Sequence, residues 1–321
     1  MFYIDDFLWA IFCWVAGIIG ITGCLTYAIM QIVQLICPVQ NLKEKYKAEW
    51  ALVTGASSGI GKAITVRLAK QGINVVLVAL GDSTLDATVT ELRKSFPGVT
   101  FRPCGVNLGA KDQSYMGPIK EATSNINVSL VFNNAGYIVP GLFADTDIEK
   151  IQSNFECNAA CAIYITHHFL RQMQDKKIKG LVTFTSSAAS YLLGPTATMY
   201  SSSKAFLTNF AVTISAELRD VGIDVVVVHP SPIASNFYDK TAALLSTLQQ
   251  ARKAAASPDV IAEALFKAPG RIVVWDQGLM CAGFRIANKV MDFAFFSEVA
   301  SRFARFQGDH KKLRKAASKS E

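Results

Sequence analysis

Short apolar stretches alternate with helical stretches through the middle of this 321-residue chain. The apolar stretches are rich in Val, Leu, Ile and Phe, and they lie at Trp50–Thr54, Asn74–Ala79, Thr100–Cys104, Ser129–Asn133, Gly180–Thr185, Asp224–His229 and Arg271–Trp275. Strands that are apolar throughout are typical of parallel sheets covered on both faces. Helical stretches near residues 60–71, 84–96, 147–175 and 199–220 separate them. The alternation predicts an α/β fold with a doubly wound parallel sheet flanked by helices.

The first strand runs directly into a glycine-rich turn, Thr54-Gly55-Ala56-Ser57-Ser58-Gly59-Ile60-Gly61. Gly55 permits a tight turn, and Gly59 lets a diphosphate approach the N–H groups at a helix N-terminus. Gly61 allows the helix to pack closely on the strand. Glycine spacing alone is weak evidence, but the strand before the turn and the helix after it supply the required context. The turn therefore predicts nucleotide binding, against the alternative of a glycine-rich turn without a ligand.

Tyr200 and Lys204 lie four residues apart on a predicted helix, so they share one helix face. An ammonium group beside a phenol favours the phenolate, and such a tyrosine can give a proton to a carbonyl oxygen or take one from an alcohol. Ser187 follows the strand Gly180–Thr185, whose carboxyl end should meet the same site. Its hydroxyl can hydrogen-bond a substrate oxygen. Taken singly, these residues also fit an ordinary surface pair and a loop serine.

These motifs together resemble the short-chain dehydrogenase/reductase family over about residues 48–275. The resemblance rests on the TGxxxGxG turn Thr54–Gly61, the set Ser187, Tyr200 and Lys204, and three further matches: Asn133-Asn134-Ala135-Gly136 after the fourth strand, Asn158 on a helix, and the segment His229–Ser235. It implies a Rossmann-like fold in which hydride passes between a nicotinamide and a substrate carbon. It also implies roles for four residues: Tyr200 is the acid or base, Lys204 favours its phenolate and holds the ribose, Ser187 polarises the substrate oxygen, and Asn158 positions a water for proton relay.

The resemblance further implies the contacts to a cofactor that is NADPH or NADH. These residues are Gly55, Ser57, Ser58, Gly59, Ile60, Gly61, Leu80, Asp82, Asn107, Asn134, Ala135, Gly136, Tyr200, Lys204, Pro230 and Ile233. Three positions depart from the family pattern. Ser231 stands where the family usually has Gly, Asn107 stands near a common Asp, and Leu80 stands where NADP-dependent members carry Arg and NAD-dependent members often carry Asp. Leu80 and the nearby Asp82 favour NAD. The apolar N-terminus and basic C-terminus, however, resemble the microsomal branch of the family, the membrane 3-oxoacyl-CoA reductases and 17β-hydroxysteroid dehydrogenases, which favours NADPH. The phosphate preference therefore stays open.

The N-terminus contains 24 residues without a charge, from Phe7 to Met30. A helix of that length is roughly 36 Å long, enough to cross a bilayer core of about 30 Å. The acidic start and the length argue against a cleaved signal peptide, and a buried core helix is the other alternative. Overall, 51% of the chain is hydrophobic and 18% is charged, which fits a membrane protein. Basic residues only after the span, at Lys43, Lys45 and Lys47, predict a cytosolic catalytic domain.

The C-terminal segment Leu279–Phe306 combines apolar residues with charges at helical spacing, which predicts an amphipathic helix that lies in the membrane interface or covers the domain. The last twenty residues hold seven basic and two acidic side chains, so five units of the net charge of +7 lie there. Such a tail favours an anionic membrane surface over nucleic acid.

The sequence predicts no metal site. His167 and His168 are adjacent and point about 100° apart on a helix, which makes a poor chelate. Cys157 and Cys161 share a helix face without another ligand near in sequence, and the seven scattered cysteines are interpreted as reduced thiols, most of them buried.

A helical insert is predicted over Phe237–Ala256, with an apolar part at Ala242–Leu248.

These patterns predict four parts: a membrane anchor (residues 1–38), a linker (39–48), a dinucleotide-binding catalytic domain (49–275), and an amphipathic helix with a basic tail (276–321). The expected protein is a membrane-anchored NAD(P)-dependent oxidoreductase of the endoplasmic reticulum that interconverts a carbonyl and an alcohol on a lipid. Long-chain 3-oxoacyl-CoA is the first expectation, as the resemblance to the microsomal branch implies. The alternatives are a hydroxysteroid or retinol dehydrogenase and a lipid or nucleotide sensor without activity. Family analogy alone implies a homodimer, formed through the helices that carry Asn158 and Tyr200.

Overall fold

Seven parallel strands form one sheet in the computed structural model, which describes residues 2–235, 237, 245–253 and 255–317. In these ranges the strands are β1 (Trp50–Thr54), β2 (Asn74–Ala79), β3 (Phe101–Gly105), β4 (Val128–Asn133), β5 (Gly180–Thr185), β6 (Ile223–Pro230) and β7 (Val274–Gln277). Their order in the sheet is β3-β2-β1-β4-β5-β6-β7. The predicted doubly wound parallel sheet is confirmed. Strand ends differ from the predicted ends by one residue or not at all, except that β7 begins three residues later and ends two residues later.

Thirteen helices lie in the described part of the chain. They are α1 (Phe2–Ile36), α2 (Leu42–Tyr46), α3 (Gly59–Lys70), α4 (Ser83–Ser95), α5 (Met116–Thr123), α6 (Ile148–Phe155), α7 (Cys161–Asp175), α8 (Thr198–Leu218), α9 (Ser246–Lys253), α10 (Pro258–Lys267), α11 (Leu279–Val290), α12 (Phe293–Ala304) and α13 (Gly308–Ala317). Helices α3, α4 and α10 cover one face of the sheet, and α5, α7 and α8 cover the other. Alternate strand residues enter these two cores, which explains why the central strands are apolar at every position.

The predicted helix over residues 147–175 contains a wide turn. A π-helical turn, Glu156–Ala160, separates α6 from α7 without ending the helix. Such insertions are frequent at functional sites because they redirect side chains and free backbone carbonyl groups. The turn holds Asn158, which is buried.

The segment between α1 and β1 is fastened to the domain. Tyr46 donates to Asp224 Oδ2 at 2.5 Å, and Lys45 Nζ lies 3.0 Å from the same oxygen. Lys43 Nζ donates to the carbonyl oxygen of Gly72 at 2.8 Å. Two of the three lysines that predicted the membrane orientation therefore also bind the catalytic domain.

The C-terminal segment is two helices rather than the one that was predicted. Met291 is extended, with φ −105° and ψ 134°, and Asp292 caps α12 by accepting from the N–H groups of Ala294 and Phe295 at 2.9 and 3.1 Å. An aspartate that caps a helix satisfies donors that an uninterrupted helix would satisfy itself. The helical spacing of charges across Leu279–Phe306 therefore did not reveal that Asp292 separates two helices.

The predicted insert is only partly described. Helix α9 lies within Phe237–Ala256, as expected, whereas residues 242–244 of the apolar part lie outside the described residues.

In the described part of the chain no group of three or more His, Cys, Asp or Glu side chains could hold a metal ion. The seven cysteines are free thiols, and four of them are buried.

Candidate active site

The carboxyl ends of β1 and β4 lie side by side where the strand order reverses. In open α/β sheets ligands bind in the crevice at this point, since the following helices leave in opposite directions. The glycine turn follows β1, the Asn134-Ala135-Gly136 loop follows β4, and Ser187 follows β5. The fold therefore collects the predicted motifs at one edge of the sheet.

The glycine turn has the backbone geometry that its sequence predicts. Gly55 has φ +64° and Gly59 has φ +52°, a region that favours glycine. A Cβ on Gly61 would lie 2.1 Å from the carbonyl oxygen of Gly55, so the residue permits close packing of α3. Ser58 at the start of α3 makes no side-chain hydrogen bond to the first turn. The helix N-terminus thus keeps its own donors for an anion.

The loop after β4 is held by two threonines that sequence reasoning missed. Thr54 Oγ1 accepts from the N–H groups of both Asn134 and Ala135 at 2.9 Å. The Asn134 side chain donates to the Thr54 carbonyl oxygen at 3.1 Å and accepts from Thr185 Oγ1 at 3.1 Å. Asn134, predicted as a cofactor contact, therefore ties together the ends of β1 and β5. The one feature of the sequence that could have indicated this role is that Thr54 and Thr185 lie at the ends of predicted strands.

Lys204 is buried on α8, with 3% of its surface exposed. Its Nζ donates to the carbonyl oxygen of Thr185 at 2.8 Å and lies 5.7 Å from the ring centroid of Tyr200. Burial lowers the pKa of Lys204 to about 8, although Cys157 and Cys161 nearby oppose this shift. The predicted pair therefore forms, and its amine titrates near physiological pH.

The π-helical turn places Asn158 beside this amine. Asn158 Oδ1 accepts from the N–H of Tyr137 at 2.8 Å, and its Nδ2 donates to the carbonyl oxygen of Tyr137 at 2.8 Å. A Cβ on Gly136 would lie 3.1 Å from both Asn158 Oδ1 and Lys204 Nζ. Gly136 therefore leaves room at the floor of the crevice, and the Asn158 side chain holds the loop that contains it.

Ser187 begins a short 3₁₀ turn, Ala188–Tyr191, which packs on α8. Its hydroxyl oxygen accepts from the N–H of Ala189 at 3.1 Å, so its proton remains free to donate elsewhere. The turn thus places a half-buried hydroxyl group on the side of the crevice formed by β5 and α8.

The residues that should discriminate the cofactor phosphate lie after β2 and β3. The Leu80 side chain is 58% exposed and follows β2 directly. Asp82 Oδ1 caps α4 by accepting from the N–H groups of Thr84 and Leu85 at 3.0 and 3.1 Å. Asn107 Oδ1 accepts from the N–H of Gly109 at 2.9 Å. The polar groups of Asp82 and Asn107 thus make local bonds that sequence reasoning did not predict.

Ser231, which stands where the family usually has Gly, bonds to the end of β7 and the start of α11. Its hydroxyl donates to the carbonyl oxygen of Gln277 at 2.7 Å and accepts from the N–H of Cys281 at 3.2 Å. The serine therefore links the loop after β6 to the start of α11. Ile233 is buried and forms a bridge with Ala256.

A comparison with known proteins identifies the family of the chain. The profile of the short chain dehydrogenases matches residues 49–244, which is more than half of the chain. The chain belongs to the short-chain dehydrogenase family.

Two kinds of curated relative within this family are similar to the chain. Very-long-chain 3-oxoacyl-CoA reductases of Laccaria bicolor and Mycosarcoma maydis are 31% and 28% identical over 66% and 65% of this chain. The matching region covers only 63% and 61% of their own lengths. The 17-beta-hydroxysteroid dehydrogenase type 3 of Mus musculus is 28% identical over 68% of this chain and 71% of its own.

Solved structures of the short-chain dehydrogenase family share the fold. A 7beta-hydroxysteroid dehydrogenase has a TM-score of 0.67 at 21% identity, over 86% of this chain and 99% of its own. A short-chain dehydrogenase from Sphingobium yanoikuyae in complex with NADPH has a TM-score of 0.65 at 23% identity, over 77% and 95%. One from Burkholderia phymatum in complex with NAD has a TM-score of 0.62 at 22% identity, over 72% and 89%.

Proposed function

We propose that this protein is a membrane-anchored, nicotinamide-dependent oxidoreductase that interconverts a carbonyl and an alcohol on a hydrophobic substrate. The observation that carries the proposal is the buried Lys204 amine 5.7 Å from the Tyr200 ring, at the sheet edge that holds the glycine turn. A phenol that shares a helix face with an ammonium group is suited to general acid–base chemistry.

The residues at this edge fit a dinucleotide. The uncapped N-terminus of α3, with Gly59 at φ +52°, suits the diphosphate. A Cβ on Gly136 would lie 3.1 Å from both Asn158 Oδ1 and Lys204 Nζ, so glycine lets these two groups lie close to the loop after β4, where they suit the ribose and nicotinamide end. The remaining predicted contacts lie where these elements meet and keep their predicted role: Ser57 and Ser58 in the glycine turn, Ile60 in the first turn of α3, Pro230 at the end of β6, and Ile233 in the loop that follows.

When bound, NADPH or NADH would supply the hydride for reduction, and NADP+ or NAD+ would accept it in oxidation. Tyr200 donates a proton to the substrate oxygen in reduction and accepts one in oxidation. The Lys204 ammonium stabilises the phenolate that remains and holds the ribose. Ser187 uses its free proton to orient the substrate oxygen. Asn158 fixes the Tyr137 loop and supports a water that returns the proton to Tyr200 through Lys204.

Long-chain 3-oxoacyl-CoA is the substrate we favour, because very-long-chain 3-oxoacyl-CoA reductases are among the similar proteins. The similarity to a 17-beta-hydroxysteroid dehydrogenase supports a hydroxysteroid as the second candidate, and retinol remains an alternative. The complete set of Ser187, Tyr200 and Lys204 argues against a sensor without activity.

The test measures oxidation of NADPH and NADH by the full chain with a long-chain 3-oxoacyl-CoA and with a 17-ketosteroid. Turnover of the steroid alone would reject the favoured substrate.

The membrane location rests on α1 and the C-terminal helices. In the described chain one helix, Phe7–Ile36, is long and apolar enough to span a membrane. Helices α11 and α12 carry large exposed apolar side chains: Leu279, Met280, Ile286, Val290, Phe293, Phe295, Val299 and Phe303. We propose that these helices lie on the cytosolic surface of the endoplasmic reticulum membrane beside the span. A lipid substrate could then reach the crevice without crossing water.

Protease digestion of sealed microsomes tests this orientation. We expect carbonate to leave the protein in the membrane and protease to digest residues 39–321, because Lys43, Lys45 and Lys47 resist translocation. The sequon Asn127-Val-Ser129 gives a second readout, since Asn127 is exposed. A glycosidase-sensitive mass shift that disappears in Asn127→Gln, or a protected catalytic domain, would reverse the orientation.

Replacement of Leu80 tests the phosphate preference. We expect Leu80→Arg to shift the preference toward NADPH by about 10- to 100-fold, because a charge-assisted bond to a phosphate contributes about 1.5–3 kcal/mol. Thr90→Arg adds the same charge at an exposed position of α4 and should cause no shift. The ratio of kcat/KM for the two cofactors is the measurement. An unchanged ratio would mean that Leu80 does not face the phosphate.

A homodimer through the helices of Asn158 and Tyr200 remains part of the proposal. Large apolar side chains on α6, α7 and α8 are partly exposed and support it: Phe155, Tyr164, Phe206 and Val212. Sedimentation in detergent gives the oligomeric state.

A further inference from the structure

A polar cluster, formed by the buried His229 and Asp276 and the half-buried Tyr191 and Arg285, lies beside the site and has no role in the chemistry described above. His229 and Asp276 are register partners on β6 and β7 and are 0% and 5% exposed. Asp276 Oδ1 lies 3.0 Å from His229 Nδ1 and accepts from the Tyr191 hydroxyl at 3.1 Å. Asp276 Oδ2 lies 3.0 Å from Arg285 Nε on α11, in an ion pair.

Arg285 supplies the charge that balances this buried carboxylate. Burial lowers the pKa of His229, against the opposing effect of Asp276, so the imidazole is neutral at pH 7 and its Nδ1–H donates to Asp276. Burial alone would raise the pKa of Asp276, but His229 and Arg285 outweigh burial and hold it below its usual value. Removing one partner of a buried ion pair leaves an uncompensated charge.

Arg285 also contacts two aromatic rings on different parts of the chain. Its guanidinium carbon lies 4.9 Å from the ring centroid of Tyr191 and 5.9 Å from that of Tyr27. Tyr27 lies on α1 and is 8% exposed. Asn288, one turn further along α11, donates to the carbonyl oxygen of Tyr191 at 2.9 Å. Cation–π contacts of a partly desolvated arginine are among the stronger ones.

The cluster reaches the catalytic elements on its other side. Tyr191 ends the turn that Ser187 begins. His229 Nε2 lies 2.8 Å from Thr208 Oγ1, which lies 2.9 Å from the carbonyl oxygen of Lys204. A continuous set of contacts therefore runs from the membrane helix α1 through Arg285 to the turn of Ser187 and to α8.

We propose that Arg285, with Asp276 and His229, positions the Ser187–Tyr191 turn by fastening it to the membrane helix α1. The anchor then serves as a structural part of the substrate side of the active site as well as a tether. The part of this inference that concerns catalysis rests on the proposed function, whereas the part that concerns the fastening does not.

The test compares Arg285→Gln with Lys289→Gln in the full chain in detergent micelles. Lys289 is exposed one turn further along α11, so this control removes the same charge outside the cluster. We expect Arg285→Gln to raise the KM for a long-chain 3-oxoacyl-CoA by about 2- to 30-fold, the range for residues that couple two sites. The KM for the cofactor should not change, and Arg285→Lys, which keeps the charge, should restore part of the affinity.

Hydrogen exchange gives a readout that needs no activity. Exchange should accelerate in both residues 188–197 and residues 20–34 of Arg285→Gln and stay unchanged in Lys289→Gln. A wild-type protein that turns over no carbonyl substrate would refute the proposed function, and the exchange data would still decide the fastening. Unchanged exchange in residues 20–34, or an equal KM effect of Lys289→Gln, would overturn the inference.

A second pair of variants covers the case in which Arg285→Gln does not fold. Tyr27→Phe keeps the ring that faces Arg285, whereas Tyr27→Leu removes it. We expect Tyr27→Leu to accelerate exchange in residues 188–197 and Tyr27→Phe to leave it as in the wild type. Equal behaviour of the two variants would contradict a contact that acts through the ring.

Discussion

Tyr200→Phe should lower the turnover rate by about 10²- to 10⁴-fold, the usual contribution of a positioned general acid. The substitution removes the hydroxyl and keeps the ring, so the aromatic contact with Phe237, at 5.6 Å between ring centroids, and the neighbouring Lys204 should remain. Cofactor affinity, measured by fluorescence titration, should therefore stay close to that of the wild type. The decisive quantity is kcat at saturating cofactor and substrate.

Tyr164→Phe is the matched control, because Tyr164 is an exposed tyrosine on α7. It should leave kcat unchanged. If Tyr200→Phe kept more than about a tenth of the wild-type rate, the loss would be smaller than general acid catalysis provides. The proton would then have to come from another group, and the proposed role of Tyr200 would be wrong.

Lys204→Met should abolish most activity and at the same time stabilise the fold. Activity should fall because the variant lacks the ammonium group that we propose to favour the phenolate and to hold the ribose. Stability rises because burial lowers the pKa of Lys204 from 10.5 to about 8, which corresponds to a penalty of about 3 kcal/mol at pH 7. The lost hydrogen bond to Thr185 offsets about 1–2 kcal/mol of this gain. We expect a net gain of about 1–2 kcal/mol in the free energy of unfolding.

The pH dependence gives this prediction a sign that a packing effect would not reproduce. Between about pH 8 and 10.5 unfolded wild-type protein holds the Lys204 proton that the folded protein has released. The Lys204 contribution to the free energy of unfolding should therefore rise with pH in this window, so the difference in the free energy of unfolding between Lys204→Met and the wild type should shrink as the pH rises. Denaturant titrations without cofactor at pH 7, 8, 9 and 10 measure it. Lys150→Met is the control, because Lys150 is exposed on α6, and it should keep the wild-type pH dependence. A Lys204→Met variant less stable than the wild type would show that the buried amine bears no burial penalty.

Local rules account for the part of the fold that the sequence predicted. A strand that is buried on both faces must be apolar at each position, so the strands could be predicted without knowing which strands lie beside them. The glycine turn was equally clear, since the positive φ of Gly55 and Gly59 and the close packing at Gly61 exclude larger residues. The Tyr200–Lys204 pair follows from helix geometry, which places residues four apart on one face.

The π-helical turn at Glu156–Ala160 could not be predicted in this way. The turn contains Asn158, whose side chain bonds to the backbone of Tyr137, 21 residues earlier in the chain. The sequence did not predict that Asp82 and Asp292 cap helices, for a different reason. An aspartate beside a helix can face a ligand, a lysine or its own backbone, and only the surrounding backbone conformation decides among them.

The parallel sheet, the glycine turn, the shared helix face of Tyr200 and Lys204, and the apolar N-terminal helix could be predicted, because each depends on residues that are neighbours in the chain. The folded chain was needed to show that Asn134 ties strand ends together, that Ser231 bonds to the start of α11, and that Arg285 joins α1 to the turn of Ser187. Tyr27 and Arg285 are 258 positions apart, and no local periodicity records which distant side chain balances a buried charge. Such contacts follow from how the assembled elements exclude water, and a buried carboxylate such as Asp276 is stable only where the fold brings it a partner.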